Sequence, residues 1–242
     1  MKPETRRQSW RDLLSHVLRR AIAVSRAQWG FLLILVLVIF IPVGFFEALI
    51  GEAEADGLSP GLVLVAVTLV LGALMGEVLY SGAVAALLAK TPAGEQPSIL
   101  HLMRELAWGR LIAADLLVSL VVVIGLVLLI VPGVVFLAWF AFVAPVIEIE
   151  DRGLRDSFRR SRELVKGRFW VVLTLVLAVT LASEAVTSGL VEFTHSLLGE
   201  GLLAEWIAES AGDIITNPPY AVVVVLMAVE LMRERGEAPP HA

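Results

Sequence analysis

The chain has 242 residues, 58% of them hydrophobic, a net charge of −5 and no cysteine, with a mean hydropathy of +0.84. That apolar content exceeds the roughly 45–50% of soluble domains and points away from a water-soluble globule. The missing cysteine excludes disulfides, thiolate nucleophiles and cysteine-based metal sites.

The charges are segregated. All nineteen Lys and Arg lie within 2–26, 90–110, 152–168 and 233–235, whereas the connectors 51–60 and 191–213 carry acidic charge and one histidine, His195. Lys and Arg accumulate in the cytoplasmic loops of inserted proteins, so the pattern predicts an all-α polytopic membrane protein with both termini inside.

Taken in chain order, the first element is an amphipathic helix with Trp10, Leu13, Leu14, Val17, Leu18 and Ala21 on one face and Asp12, His16, Arg19 and Arg20 on the other. Such a helix suits the plane of the bilayer interface, its arginines toward anionic lipid headgroups on the cytoplasmic side. Six apolar stretches then approach the ~20 residues needed to span a bilayer, at 30–50, 62–88, 111–130, 133–149, 169–190 and 212–232. The first is expected to be retained, although Ala53-Glu54-Ala55 resembles a cleavage site, because its apolar run outlasts a secretory core of ~7–15 residues.

The second span holds Glu77 near its middle with Ser81 one turn on, and a Gly72-x-x-x-Gly76 seam expected to admit another helix of the same chain. A carboxylate at that depth costs on the order of 2.5–3.5 kcal/mol on insertion scales, so Glu77 is expected to meet a partner, a cation or a proton. A continuous helix from Leu111 to Ile149 would run about 58 Å, so the third and fourth spans are expected to turn at Pro132-Gly133. Asp115 and Glu148, near the basic boundary, are expected to pair with Arg110, Arg152 or Lys166. In the sixth span Asn217-Pro218-Pro219 predicts a break, with Asp213, Thr216 and Glu184 of the fifth span lining a polar pocket. Leu203, Trp206 and Ile207 ahead of it predict a separate external interfacial helix.

Further interfacial stripes, Ile99, Leu102, Met103 and Leu106, then Leu154, Phe158, Leu164 and Val165, precede the third and fifth spans. They end in a shared pattern: Arg104-Glu105-Leu106-Ala107-Trp108-Gly109-Arg110-Leu111 matches Arg162-Glu163-Leu164-Val165-Lys166-Gly167-Arg168-Phe169. Each glycine is expected to end its helix at positive φ, and Arg110 and Arg168 to snorkel, while Trp29, Trp108 and Trp170 anchor the interface. The chain thus divides into three units, 10–88, 97–149 and 153–232, each an interfacial helix followed by a helical hairpin.

Ile130-Val131-Pro132-Gly133, Ala144-Pro145-Val146-Ile147-Glu148 and the stretch from Asp156 to Trp170 resemble the YciC-like group of bacterial inner-membrane proteins and the related membrane domain of some glycerophosphodiester phosphodiesterases. The resemblance covers mainly residues 95–232 and implies a multi-pass protein of the bacterial inner membrane. It supplies no catalytic residue, and no soluble catalytic barrel follows the last span.

No nucleophile elbow, phosphate loop, zinc-protease motif or dinucleotide fingerprint is found. His16, His101, His195 and His241 are divided between the two sides, so no cofactor and no metal is expected, and nothing points to nucleic acid. The expected function is non-enzymatic: a structural or accessory envelope component interacting with lipids, with another membrane protein or with its own copies. The alternative is a small-solute or ion transporter using an intramembrane acidic residue.

Overall fold

The computed structural model describes residues 10–55, 76–91, 98–128, 130–199 and 201–236. Within them the chain is helical throughout: α1 Trp10–Ala27, α2 Trp29–Ala55, α3 Gly76–Lys90, α4 Ile99–Glu105, α5 Trp108–Leu128, α6 Ile130–Phe140, α7 Val143–Glu150, α8 Leu154–Val165, α9 Phe169–Leu198 and α10 Leu202–Arg233. Three segments, Val131–Glu150, Phe169–Leu198 and Leu202–Arg233, are long and apolar enough to cross a membrane. A fourth arises if α1 and α2, bent 85° to one another, are counted as one. Residues 62–75 of the expected second span, with Gly72, lie outside the described residues.

Hydrophobic burial organises the bundle around α10. From Ala221 to Val229 every residue of α10 is buried, because α2, α3, α9 and α1 all pack against it. A helix apolar on all sides needs such enclosure, by protein or by lipid. On α1 the stripe of Leu13, Val17 and Ala21 is buried, as its periodicity predicts. Helix contacts are close where side chains are missing: a Cβ at Gly44 of α2 would come within 2.9 Å of the Ser210 backbone nitrogen, and one at Gly125 of α5 within 2.9 Å of the Gly133 backbone. Small residues allow this approach of helix backbones in apolar surroundings.

Two expected breaks fall elsewhere. Pro132 and Gly133 do not form the turn between α5 and α6; they sit in the first turn of α6, where a missing N–H costs nothing. Asn217, Pro218 and Pro219 lie inside the unbroken α10, which also absorbs Leu203, Trp206 and Ile207. Each proline removes one helical hydrogen bond, but the flanking polar groups stay in the helix: the Thr216 hydroxyl donates to the Gly212 carbonyl at 2.9 Å and the Asn217 amide to the Asp213 carboxylate at 2.9 Å. Trp206 packs on α2 instead of lying on a surface of its own, its indole N–H donating to the Ile41 carbonyl at 3.0 Å.

The discontinuous stretch is the fourth expected span, interrupted at Ala141 and Phe142 between α6 and α7. Pro145 is the cause: its ring excludes the carbonyl four residues back, that of Ala141, from a helical bond. Ser161 of α8 closes the gap, accepting the Phe142 N–H at 3.2 Å and donating to the Trp139 carbonyl at 2.7 Å. Arg162, one residue on, lies 4.4 Å from the centre of the Trp139 ring, a cation–π contact that fastens the same end.

The two matched junctions also differ. Gly167 takes the expected positive φ, at 98°. Gly109 instead lies in the first turn of α5, and the preceding turn is tied by the Trp108 indole N–H to the Met103 carbonyl at 2.6 Å.

Replacing Ser161 by Ala strands a buried Phe142 N–H, a loss on the order of 1–3 kcal/mol. The detergent-solubilised Ser161→Ala protein is therefore expected to unfold at a distinctly lower temperature than wild type. Ser157→Ala is expected to be nearly neutral, since the Ser157 hydroxyl bonds only carbonyls close in sequence. Equal midpoints for the two variants would contradict the clamp.

Candidate functional site

Charge at one end of the bundle is largely paired. Glu148, with a side chain only 2% exposed, meets Lys90 Nζ at 3.3 Å and accepts the Ala107 backbone N–H at 2.8 Å. Its partner is thus Lys90 and not one of the expected Arg110, Arg152 or Lys166. Arg110 binds Asp151 and the Arg152 carbonyl, Arg160 meets Glu150 at 3.0 Å, and Arg168 meets Glu234 at 2.8 Å. Arg235 closes the end of α8 by bonding the Glu163 carbonyl. The hydrogen bond and charge of Arg110 hold the exposed Asp151 carboxyl below its ordinary range. Asp151 itself caps α7 in the left-handed region at φ 48°, which Asp tolerates better than most residues.

Along α3 from Lys90, about 20 Å at 1.5 Å per residue, the pattern reverses at Glu77. Asp115 of α5 and Asp213 of α10 each stand within electrostatic range of Glu77, as do Glu184 of α9 and Tyr220 of α10. Asp115 is 1% exposed. It receives the Leu79 backbone N–H, but its Oδ2 has no hydrogen-bond partner among the described residues, and neither do Asp213 Oδ2 and Ser81 Oγ. No ion pair to Glu77, Asp115, Asp213 or Glu184 is formed among the described residues. Asp115 therefore departs from the expected pairing with an arginine.

Of these groups Glu77 and Tyr220 line a cleft of about 60 Å³, together with Ser81, Val118 of α5, Phe140 at the end of α6 and Val176 of α9. Glu77 is exposed and is one of the residues on the cleft wall. The space exceeds the ~10–15 Å³ that one water needs and has polar groups to hold it. Its wall includes the interruption between α6 and α7, and non-helical backbone at membrane depth is tolerated where it is covered by protein or lines a polar cavity.

The sequence-predicted residues are thus partly assembled. Glu77 and Ser81 line the cleft, Glu184 and Asp213 lie in electrostatic range of Glu77, and Asn217 is held on Asp213 at 2.9 Å. Gly76 packs against the Phe40 ring of α2. Trp29 and Trp170 are exposed, 54% and 75%, whereas Trp108 is turned inward to Met103. Tyr220 and the wall built by Pro145 and Ser161 were not read from the sequence; the one available signal was Pro145 within an apolar span.

Among the described residues no three His, Asp or Glu side chains converge as metal ligands. Comparison with protein-family models, with curated proteins and with solved structures yields no match.

The two buried acids should respond oppositely to neutralisation. Glu148→Ala removes the acceptor of a backbone N–H and the partner of Lys90, a loss on the order of 1–3 kcal/mol, and lowers the thermal midpoint. Asp115→Asn replaces a buried carboxyl that has no cationic partner among the described residues, and leaves the midpoint equal or higher. Destabilisation by Asp115→Asn as large as that of Glu148→Ala would mean that Asp115 is a paired structural group.

Proposed function

We propose that the chain is a six-span protein of the bacterial inner membrane, both termini inside, that passes a proton or small cation through its bundle by way of Glu77. The observation that carries the reading is the contrast between the two charged regions: the basic end is paired, while Glu77 on the cleft wall and the acids in electrostatic range of it have no cationic partner among the described residues. A carboxylate removed from water requires a compensating positive charge, and ionisable groups kept inside membrane helices characteristically serve ion pathways and proton relays. The cleft beside an interrupted span supports the same reading, since transporters place their sites at such interruptions. The clustering of Lys and Arg supports the orientation, and the right angle between α1 and α2 suits an interfacial helix entering a span. Membership of the YciC-like group belongs to the same proposal and rests on Pro132-Gly133 and on the Ser-x-Glu-Leu-x-x-Gly-Arg-Phe-Trp stretch from Ser161 to Trp170.

A purely structural or accessory role accounts for the paired basic end and the close helix contacts, but leaves the unpaired acids without a task. Purified protein in sealed liposomes separates the two. Under an imposed membrane potential, wild type takes up protons, followed by a trapped pH dye, or sodium, followed by tracer. Glu77→Gln, with an unchanged thermal midpoint, falls to the rate of protein-free liposomes. Equal rates in wild type and the folded Gln variant would overturn the role of Glu77, and no uptake by wild type would leave the accessory role standing.

A further inference from the structure

A second concavity lies away from the acids, in the angle where α1 turns into α2. It measures about 540 Å³ and is walled by Leu18, Ala21 and Ile22 of α1, Trp29 of α2, and Pro219 and Val223 of α10, with Ser25 and Arg26 at its edge. Ala21 belongs to the stripe buried against the bundle, but Leu18 and Ile22 are 48% and 54% exposed. In water such an apolar hollow would be unfavourable; at a bilayer surface it is the size and polarity of a site for an acyl chain.

The surrounding charge selects the occupant. Arg26 forms no ion pair among the described residues. Six residues earlier, Arg20 stands beside Arg233 and Glu230, and Glu230 already meets Arg233 at 3.5 Å. Arg20, Arg26 and Arg233 stand against Glu230, so positive charge is in excess beside the elbow. A second copy of the chain docked symmetrically here would set arginine against arginine. We propose that the elbow binds one anionic phospholipid, an acyl chain in the groove and the phosphate on Arg26.

This site rests on the membrane placement proposed above but not on the ion path, and lipid retention is measured without any transport. Native mass spectrometry of the full-length protein, titrated with phosphatidylglycerol or with phosphatidylcholine of the same chains, tests it. Wild type is expected to retain one phosphatidylglycerol about fivefold more tightly than phosphatidylcholine, the effect of roughly one arginine at an anionic headgroup. Arg26→Ala should erase the preference while Arg26→Lys keeps it, and Ile22→Trp, which fills the groove, should weaken both lipids. Thermal midpoints verify that each variant is folded; should Ile22→Trp fail to fold, the arginine variants decide alone. Equal affinity for the two lipids, a preference surviving Arg26→Ala, or a dimer without retained lipid would overturn the proposal.

Discussion

Charge in apolar surroundings must be compensated, and the placement of compensation is the constraint on which the rest of this structure depends. At the end of the bundle carrying Lys90, Arg110, Arg160 and Arg168, acids and bases meet within hydrogen-bond distance. Those pairs do more than neutralise charge: Glu148 joins the end of α3 to the start of α5 through Lys90 and the Ala107 N–H. Surface ion pairs contribute little, but a nearly enclosed carboxylate that also accepts a backbone N–H is costly to lose. Around Glu77 no such ion pair is formed among the described residues, and that asymmetry divides the bundle into a paired and an unpaired half.

Packing makes the asymmetry tolerable. α10 is buried along its second half by α1, α2, α3 and α9, and close backbone approaches at Gly44 and Gly125 hold the helices without long side chains. Among the described residues the fourth expected span is interrupted at Ala141 and Phe142, a break fastened by the Ser161 hydroxyl. Ala141 lies on the cleft wall, so the proline that breaks the helix and the serine that satisfies the break help to set a part of the wall that Glu77 shares.

Much of this was legible in the sequence, and the failures share a cause. Composition and charge segregation led to a helical bundle, and periodicity identified the buried stripe of α1. Glu77 and Ser81 were singled out because polarity deep in an apolar run is rare, and both line the cleft. The proline readings failed because a proline's effect depends on its surroundings. Pro132 falls in the first turn of a helix, Pro218 and Pro219 are carried by a long packed helix, and Pro145 alone coincides with an interruption. The pairing of Glu148 with Lys90 spans two helices remote in sequence, which proximity along the chain could not indicate. Gly109 and Gly167 occupy matched positions but different conformations because Trp108 supplies a side-chain tie that Lys166, its counterpart, cannot.

The central claim is that water and ions reach the acids through the cleft. The chain lacks cysteine, so a single thiol can be introduced without background. In sealed vesicles, Glu77→Cys, at an exposed position on the cleft wall, is expected to react with a small cationic methanethiosulfonate. Val84→Cys, fully buried on the same helix, is expected to remain unmodified. Failure of Glu77→Cys to react in folded protein, or equal reaction at both positions, would contradict an aqueous path to this site.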